Sequence, residues 1–278
     1  MRRLKLTTFS AFKITSILLV VIALILIAYF LNFGNRIYRH FYGVKAGVTL
    51  NGLPMEKLLA AEVRKKVEKM ALAIDRAPRN ARYEQSTDTI IPEEVGLQVD
   101  VDATVKAVME AEKGEKVELV VLRLEPEITA DIFHSINKKI ASFSTSGGGG
   151  AGRTDNLYVA AKYMNGTILA PGDVFSFNKV TGPRTFERGY SMAPVVGGMG
   201  IGGGVCQVAT TIYNAALQAN LEIVERHPHS IRVGYVPPGR DATVTNYIDF
   251  KFRNSTDKFI QIRSGAGGGY VWVQLWSQ

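Results

Sequence analysis

Cys206 is the only cysteine of the chain, and its neighbours make it a candidate for chemistry. It follows a run of glycines, Gly197, Gly198, Gly200, Gly202, Gly203 and Gly204, and precedes Val208, Ala209, Ile212, Ala216 and Ala219 at helical spacing. This places the thiol at or near a helix N-terminus, where unpaired N–H groups and the positive end of the helix dipole favour a thiolate. The glycines remove side chains from the approach. A carbonyl could then reach the sulfur while backbone N–H groups near Gly204 and Cys206 hold a developing oxyanion. A phosphate cradle would use similar glycines, but no Lys-Ser or Lys-Thr follows them.

A thiol nucleophile needs a base, and the chain has four histidines. His40 adjoins an apolar segment and His134 lies in the first half, which leaves His227 and His229, the latter 23 residues after Cys206. That interval is long enough for the helix to end near Leu221 and for a strand to return an imidazole to its start. Asp241, opening a stretch Ala242–Phe252 that reads as a strand, is the first choice to orient the histidine. Papain-like thiol enzymes share this order and logic. Two other readings stay open on the residues alone. Cys206, His227 and His229 are all zinc-ligand types, although a fourth ligand is not obvious. Cys206 could also be a small buried hydrophobe.

The elements that must position these groups follow from composition and periodicity. The chain has 278 residues, 46% hydrophobic and 21% charged, which fits an anchor plus one large or two modest domains. The net charge of +8 suggests nucleic acid, but its distribution excludes that reading. Arg2, Arg3, Lys5, Lys13, Arg36, Arg39 and Lys45 lie in the first 45 residues with no acidic residue among them, leaving 26 basic against 25 acidic residues elsewhere. Between these basic residues, Ile14–Leu31 is uncharged and about the length that crosses a bilayer as a helix. Its length and the lack of a small-x-small cleavage site predict an uncleaved signal anchor, with the N-terminus in the cytoplasm and the body outside.

Beyond residue 42 the expected class is α+β. The apolar spacing of Met55–Ile74 predicts an amphipathic helix, and Ala103–Ala111 predicts a second. Strands are expected at Val48–Leu50, Ile90–Val101 and Val117–Leu124. Gly147–Gly150 is expensive to order as helix or strand and is read as a domain boundary. The resulting division is 1–42 for cytoplasmic tail and anchor, 43–140 for a small α+β domain, and 141–278 for a mixed, β-rich domain carrying Cys206. In the last, Asn156–Met164 reads as helix, and Ile231–Val236, Ala242–Phe252, Phe259–Arg263 and Tyr270–Trp276 read as strands.

Several runs in this last domain, among them Pro171-Gly-Asp-Val-Phe-Ser-Phe-Asn178, Gly182-Pro-Arg-Thr185, Gly202-Gly-Gly-Val-Cys-Gln207, Arg226, His229-Ser230 and Gly239-Arg-Asp-Ala-Thr-Val244, resemble the VanW domain family over about residues 143–262. The region from Gly47 to about Asn137 is similar to the peptidoglycan-binding domain that commonly precedes such domains. The resemblance implies a cell-surface protein acting on peptidoglycan stem peptides, of a type implicated in L,D-transpeptidation. It implies Cys206 as nucleophile and His229, not His227, as the motif histidine. It also directs attention to Gly203, Gly204, Gln207, Arg184 and Ser230 as substrate or oxyanion contacts. On this reading no metal or organic cofactor is required, nucleic acid is not a partner, and protein partners are not specified. The rival expectation is a wall-binding or scaffold protein without catalysis, in which the same groove holds the end of a stem.

Overall fold

The computed structural model describes the backbone of residues 4–84 and 86–278, with side chains from residue 18 onward. Arg2 and Arg3 of the basic flank lie outside the described residues. Residues up to 125 contribute mainly to a first compact unit, Met1–Pro78 with Val95–Glu125, while Arg79–Glu94 and Pro126–Gln278 form a second.

The first unit begins with helix α1, Leu4–Tyr42. Its portion Leu18–Tyr42 has a mean hydropathy of 2.3 in its most apolar window and is not buried in the protein, so its length and composition suit a bilayer. The expected helix at Met55–Ile74 is shorter, α2 at Ala60–Ile74. Lys57 adopts a left-handed φ of 62°, which breaks helical continuity, and the Glu62 carboxylate caps the start by accepting from the Leu59 N–H at 2.9 Å. Glu62 also receives the Arg39 guanidinium in a two-pronged ion pair, with contacts of 2.6 and 2.7 Å. Helix α3, Val101–Glu110, is capped by Asp100, whose side chain accepts from the Ala103 N–H at 2.8 Å. The helices bury Val63 and Val67 against Val105 and Val108 in one core with Val48, Leu50 and Met55. The expected strand at Ile90–Val101 divides into Thr89–Ile91 and Gly96–Val99, because Pro92 removes a ladder donor between them. Thr89–Ile91 pairs with Arg82–Glu84 in the second unit.

The second unit contains the short helix α4, Ala130–Ser135, and a four-stranded antiparallel sheet in the order Lys138–Ser146, Tyr270–Ser277, Ile260–Gly267, Ile168–Leu169. Val271, Val273 and Leu275 are buried while Trp272, Gln274 and Trp276 alternate with them, the period expected of a strand with one face on the core. Helices α5, Ala151–Met164, and α7, Val205–Gln218, pack on this sheet. A short α6, Phe177–Thr181, follows the strand Val174–Ser176, which joins Lys251–Arg253 and Glu222–Glu225 in a three-stranded sheet. Phe175, Phe250 and Phe252 fill the core, with the Phe175 and Phe252 rings 5.0 Å apart.

The glycines at 147–150 connect a sheet strand to α5 within the second unit, and the chain passes between the two units at Pro78–Arg79, Glu94–Val95 and Glu125–Pro126. The Gly147 N–H bonds to the Gly269 carbonyl at 3.0 Å, and a Cβ on Gly147 would lie 2.8 Å from Gln207 Oε1, so a residue without a side chain suits that position. Ile231–Val236 and most of Ala242–Phe252 are not sheet strands, and only Lys251–Arg253 is. The reason for the second lies in α7.

Candidate functional site

Helix α7 is buried at every residue from Gln207 through Ala216, so its polar side chains must find partners inside the protein. One face, spaced four residues apart, finds them in the segment expected to be a strand. The Asn214 amide donates to the Arg240 carbonyl at 2.7 Å, Thr210 Oγ1 accepts from the Ala242 N–H at 2.9 Å, and Cys206 Sγ lies 3.5 Å from the Val244 nitrogen and 3.4 Å from its carbonyl oxygen. Helix positions i, i+4 and i+8 thus meet alternate residues of an extended chain. Helix side chains take backbone bonds that a sheet neighbour would otherwise take, and this segment runs along α7 without joining a sheet.

Alternation then directs Asp241 away from the helix face used by its neighbours. Its carboxylate accepts from the His229 backbone N–H at 2.6 Å and meets His229 Nδ1 at 2.8 Å. Arg226 fixes it from the other side, Nη2 donating to Oδ1 at 2.9 Å and Nε to the Asp241 carbonyl at 2.7 Å. With Nδ1 committed to the carboxylate, Nε2 is the ring atom left for the thiol. The structure therefore brings Cys206, His229 and Asp241 together.

The electrostatics follow from this grouping. Burial pushes the Cys206 thiol up, but the His229 side chain, the Val244 N–H and the charges of His229 and Arg184 outweigh it and hold the thiol below its ordinary value. The Cys206 interaction raises His229 above the ordinary imidazole value, burial opposes this, and Asp241 adds to the rise. For Asp241, burial acts upward and the His229 bonds and Arg226 act downward, with a net lowering. A thiolate and an imidazolium are each favoured by the other.

The remaining expected residues divide. Gly204 is the residue before α7, with φ of 103°, and a Cβ there would meet Arg153 Cγ at 2.8 Å. Gly203 lies against the Ala193 and Pro194 carbonyls, 2.7 and 2.6 Å from where its Cβ would be. The hydrogen bonds recorded in this turn use the N–H groups of Gly202, Val205 and Gln207, so those of Gly203, Gly204 and Cys206 are not engaged by backbone acceptors outside the helix among the described residues. Arg184 donates to the Thr245 carbonyl at 3.4 Å, one residue beyond the Val244 backbone that touches Cys206 Sγ. Ser230 is exposed next to His229. His227 is exposed too, with Nε2 3.2 Å from Glu225 Oε1.

Gln207 is turned into the protein interior. Its fully buried side chain accepts from Arg153 Nη2 at 2.8 Å and donates to Thr145 Oγ1 and the Gly269 carbonyl, each at 3.2 Å. Gln207→Ala is expected to lower the stability of the protein by about 2–3 kcal/mol, because it strands a partly buried guanidinium. Thermal melting followed by near-UV circular dichroism should show the loss. An unchanged melting temperature would mean that Arg153 finds water or another acceptor.

Sequence reasoning missed Arg153, Tyr235 and Val244. Tyr235 is pushed up to about 12, chiefly by burial and further by the charge of Cys206. Its position in a Pro- and Gly-containing loop carries no periodic signal. Val244 touches the sulfur only through its backbone, a contact that no residue type announces.

A thiol, imidazole and carboxylate at the start of a buried helix, in a chain with an N-terminal apolar helix, define the class of protein to which comparisons can be put. Residues 152–276 match the family model described as VanW like protein, and residues 34–119 match the model described as "Putative peptidoglycan binding domain". The chain thus carries a VanW-like region preceded by one similar to the domain of the second description. It is 34% identical over 202 residues to YoaR of Bacillus subtilis (strain 168), covering 68% of this chain and 66% of YoaR. It is 32% identical over 117 residues to the vancomycin B-type resistance protein VanW of Enterococcus faecalis (strain ATCC 700802 / V583), covering 38% of this chain and 42% of that protein. The chain thus spans somewhat under two thirds of the length of one relative and less than half of the other. No solved structure matches it.

Proposed function

We propose that the second unit is a cysteine acyltransferase of the L,D-transpeptidase type, joining peptidoglycan stem peptides through a thioester on Cys206. The observation that carries this reading is His229, whose ring nitrogen Nδ1 is held by Asp241 at 2.8 Å while the imidazole and the Cys206 thiol shift each other toward the charged pair. The thiolate attacks the carbonyl carbon of the donor's third residue. The oxyanion is held by the unengaged N–H groups of Gly204 and Cys206. The intermediate collapses with cleavage of the carbon–nitrogen bond to the terminal D-alanine, and the imidazolium gives its proton to the departing amine. An amine of a second stem then attacks the thioester, His229 takes the proton released, and the thiolate leaves as the new amide forms. The peptidoglycan-binding domain supports a wall substrate. Helix α1 supports membrane attachment with the body outside the cytoplasm, and its apolar stretch is equally compatible with a signal sequence.

Incubation of the full-length protein with a tetrapeptide stem, followed by intact-mass measurement, should show an added mass equal to the stem less its terminal alanine. The adduct should map to Cys206 and be absent from Cys206→Ser. Binding of the stem without adduct or alanine release would instead support a wall-binding module.

A further inference from the structure

Arg184 is charged and half-buried, yet the side chains and carbonyls that hold it are neutral. Its Nη2 donates to Asn178 Oδ1 at 2.6 Å and its Nη1 to the Thr245 carbonyl at 3.4 Å, with the guanidinium carbon 5.7 Å from the centre of the Phe177 ring. Burial lowers its pKa, opposed by the charges of Tyr190 and Cys206 and then by the carboxylate of Asp249. That group is already used, accepting from Ser176 Oγ at 2.6 Å, the Asn178 N–H at 2.9 Å and the Phe250 N–H at 2.8 Å. No ion pair to Arg184 occurs among the described residues. The two bonds it makes leave donors of its planar fork open.

Its place relative to the thiol is fixed by adjacent residues. Val244 touches Cys206 Sγ through its backbone, and the next carbonyl, that of Thr245, holds Arg184. On the other side the guanidinium stem lies over the turn into α7, where a Cβ on Gly202 would come within 2.8 Å of Arg184 Cγ. The missing side chain at Gly202 therefore makes room for the arginine. A half-buried cation whose hydrogen-bond partners are neutral keeps donors open to an anion, and planar, bidentate recognition of a carboxylate is what a guanidinium supplies best.

We propose that Arg184 binds the terminal carboxylate of the acyl donor, so that the site accepts peptides in which a single residue with a free α-carboxylate follows the scissile carbonyl. This rests on the acyl-transfer reading above, and it names the donor class. One residue of extended chain spans about 3.3–3.6 Å, a distance suited to groups on neighbouring residues of one site. A donor one residue longer would place an uncharged amide against the guanidinium and leave the cation desolvated without a counter-charge. The site thereby selects a stem that ends one residue after the bond to be broken.

The test uses binding and no turnover. Full-length Cys206→Ala protein in detergent is titrated by calorimetry with a tetrapeptide stem as the free acid and as the C-terminal amide. The acid should bind at least about tenfold more tightly, adding Arg184→Gln should abolish the difference, and Arg184→Lys should keep part of it. Equal affinity for the two peptides, binding of neither at millimolar concentration, or a preference that survives Arg184→Gln would each overturn the assignment. The acid–amide comparison with Arg184 in place stands even if Arg184→Gln fails to fold. Because the thiol is absent, failure of the thioester mechanism would appear in the intact-mass experiment and not here.

Discussion

Cys206→Ser is expected to reduce transfer between stem peptides by roughly 10⁴-fold or more, and His229→Ala by about 10²–10⁴-fold, while His227→Ala should stay within a few-fold of the parent. Serine keeps the size of cysteine and can still contact the Val244 backbone, so the helix start should survive. Its hydroxyl is far harder to ionise than a thiol, and the groups that lower Cys206 act on a thiol that begins much closer to neutrality. His229→Ala removes the proton carrier and leaves the buried Asp241 with only its Arg226 and backbone partners, so some loss of stability should accompany the loss of rate. His227 is exposed and paired with Glu225, away from the sulfur. Release of D-alanine and formation of cross-linked dimers, both followed by chromatography, measure the three variants. Undiminished cross-linking by Cys206→Ser would remove the thiol from the mechanism and leave binding as the better account.

How far the sequence foretold this site depends on how local each determinant is. Cys206 at the start of α7 was legible because the glycines and the helical spacing of Val208, Ala209, Ile212 and Ala216 are adjacent to it. His229 and Asp241 were legible as residue types. Their convergence depends on Thr210 and Asn214 of α7 holding Ala242 and Arg240, bonds that alternate along the extended chain and therefore imitate a strand in the sequence. That is why Ala242–Phe252 read as a sheet strand when only Lys251–Arg253 is one. The partners of Gln207 were not legible, because one helical residue beyond Cys206 is a rotation of about 100°, enough to turn its side chain from the Cys206 face into the core. Arg153 and Tyr235 reach the site from a helix and a loop distant in sequence, so nothing near Cys206 identifies them. Glycine has the same ambiguity throughout. At Gly147 its lack of a side chain serves a close approach to Gln207, whose Oε1 would lie 2.8 Å from a Cβ, and this looks in sequence like a flexible boundary.

The pH dependence of Cys206 alkylation should separate a poised thiol from an ordinary one. An unperturbed cysteine titrates near pH 8.5 or so, and iodoacetamide reacts with its thiolate. Because Cys206 is held below its ordinary value, the wild-type rate should reach half its plateau below that pH. The sign reverses when the histidine is removed. In His229→Ala, burial still pushes the thiol up while the imidazole bond and charge that opposed it are gone, so the midpoint should move upward and past the ordinary value unless Val244 and Arg184 suffice to hold it. Asp241→Asn should move it upward by less. That substitution leaves the imidazole in place but removes the charge that helps raise His229, and it can turn the ring to the tautomer that presents the wrong nitrogen to sulfur. The same pair should give stem-peptide transfer a bell-shaped profile. The acid limb falls as the thiolate is protonated below its lowered value, and the alkaline limb falls as the imidazolium loses its proton above its raised value. The two midpoints belong to the pair and should move together in Asp241→Asn. An alkylation curve identical in wild type and His229→Ala would show that the imidazole does not act on the sulfur in solution, and the acyl-transfer mechanism would lose its base.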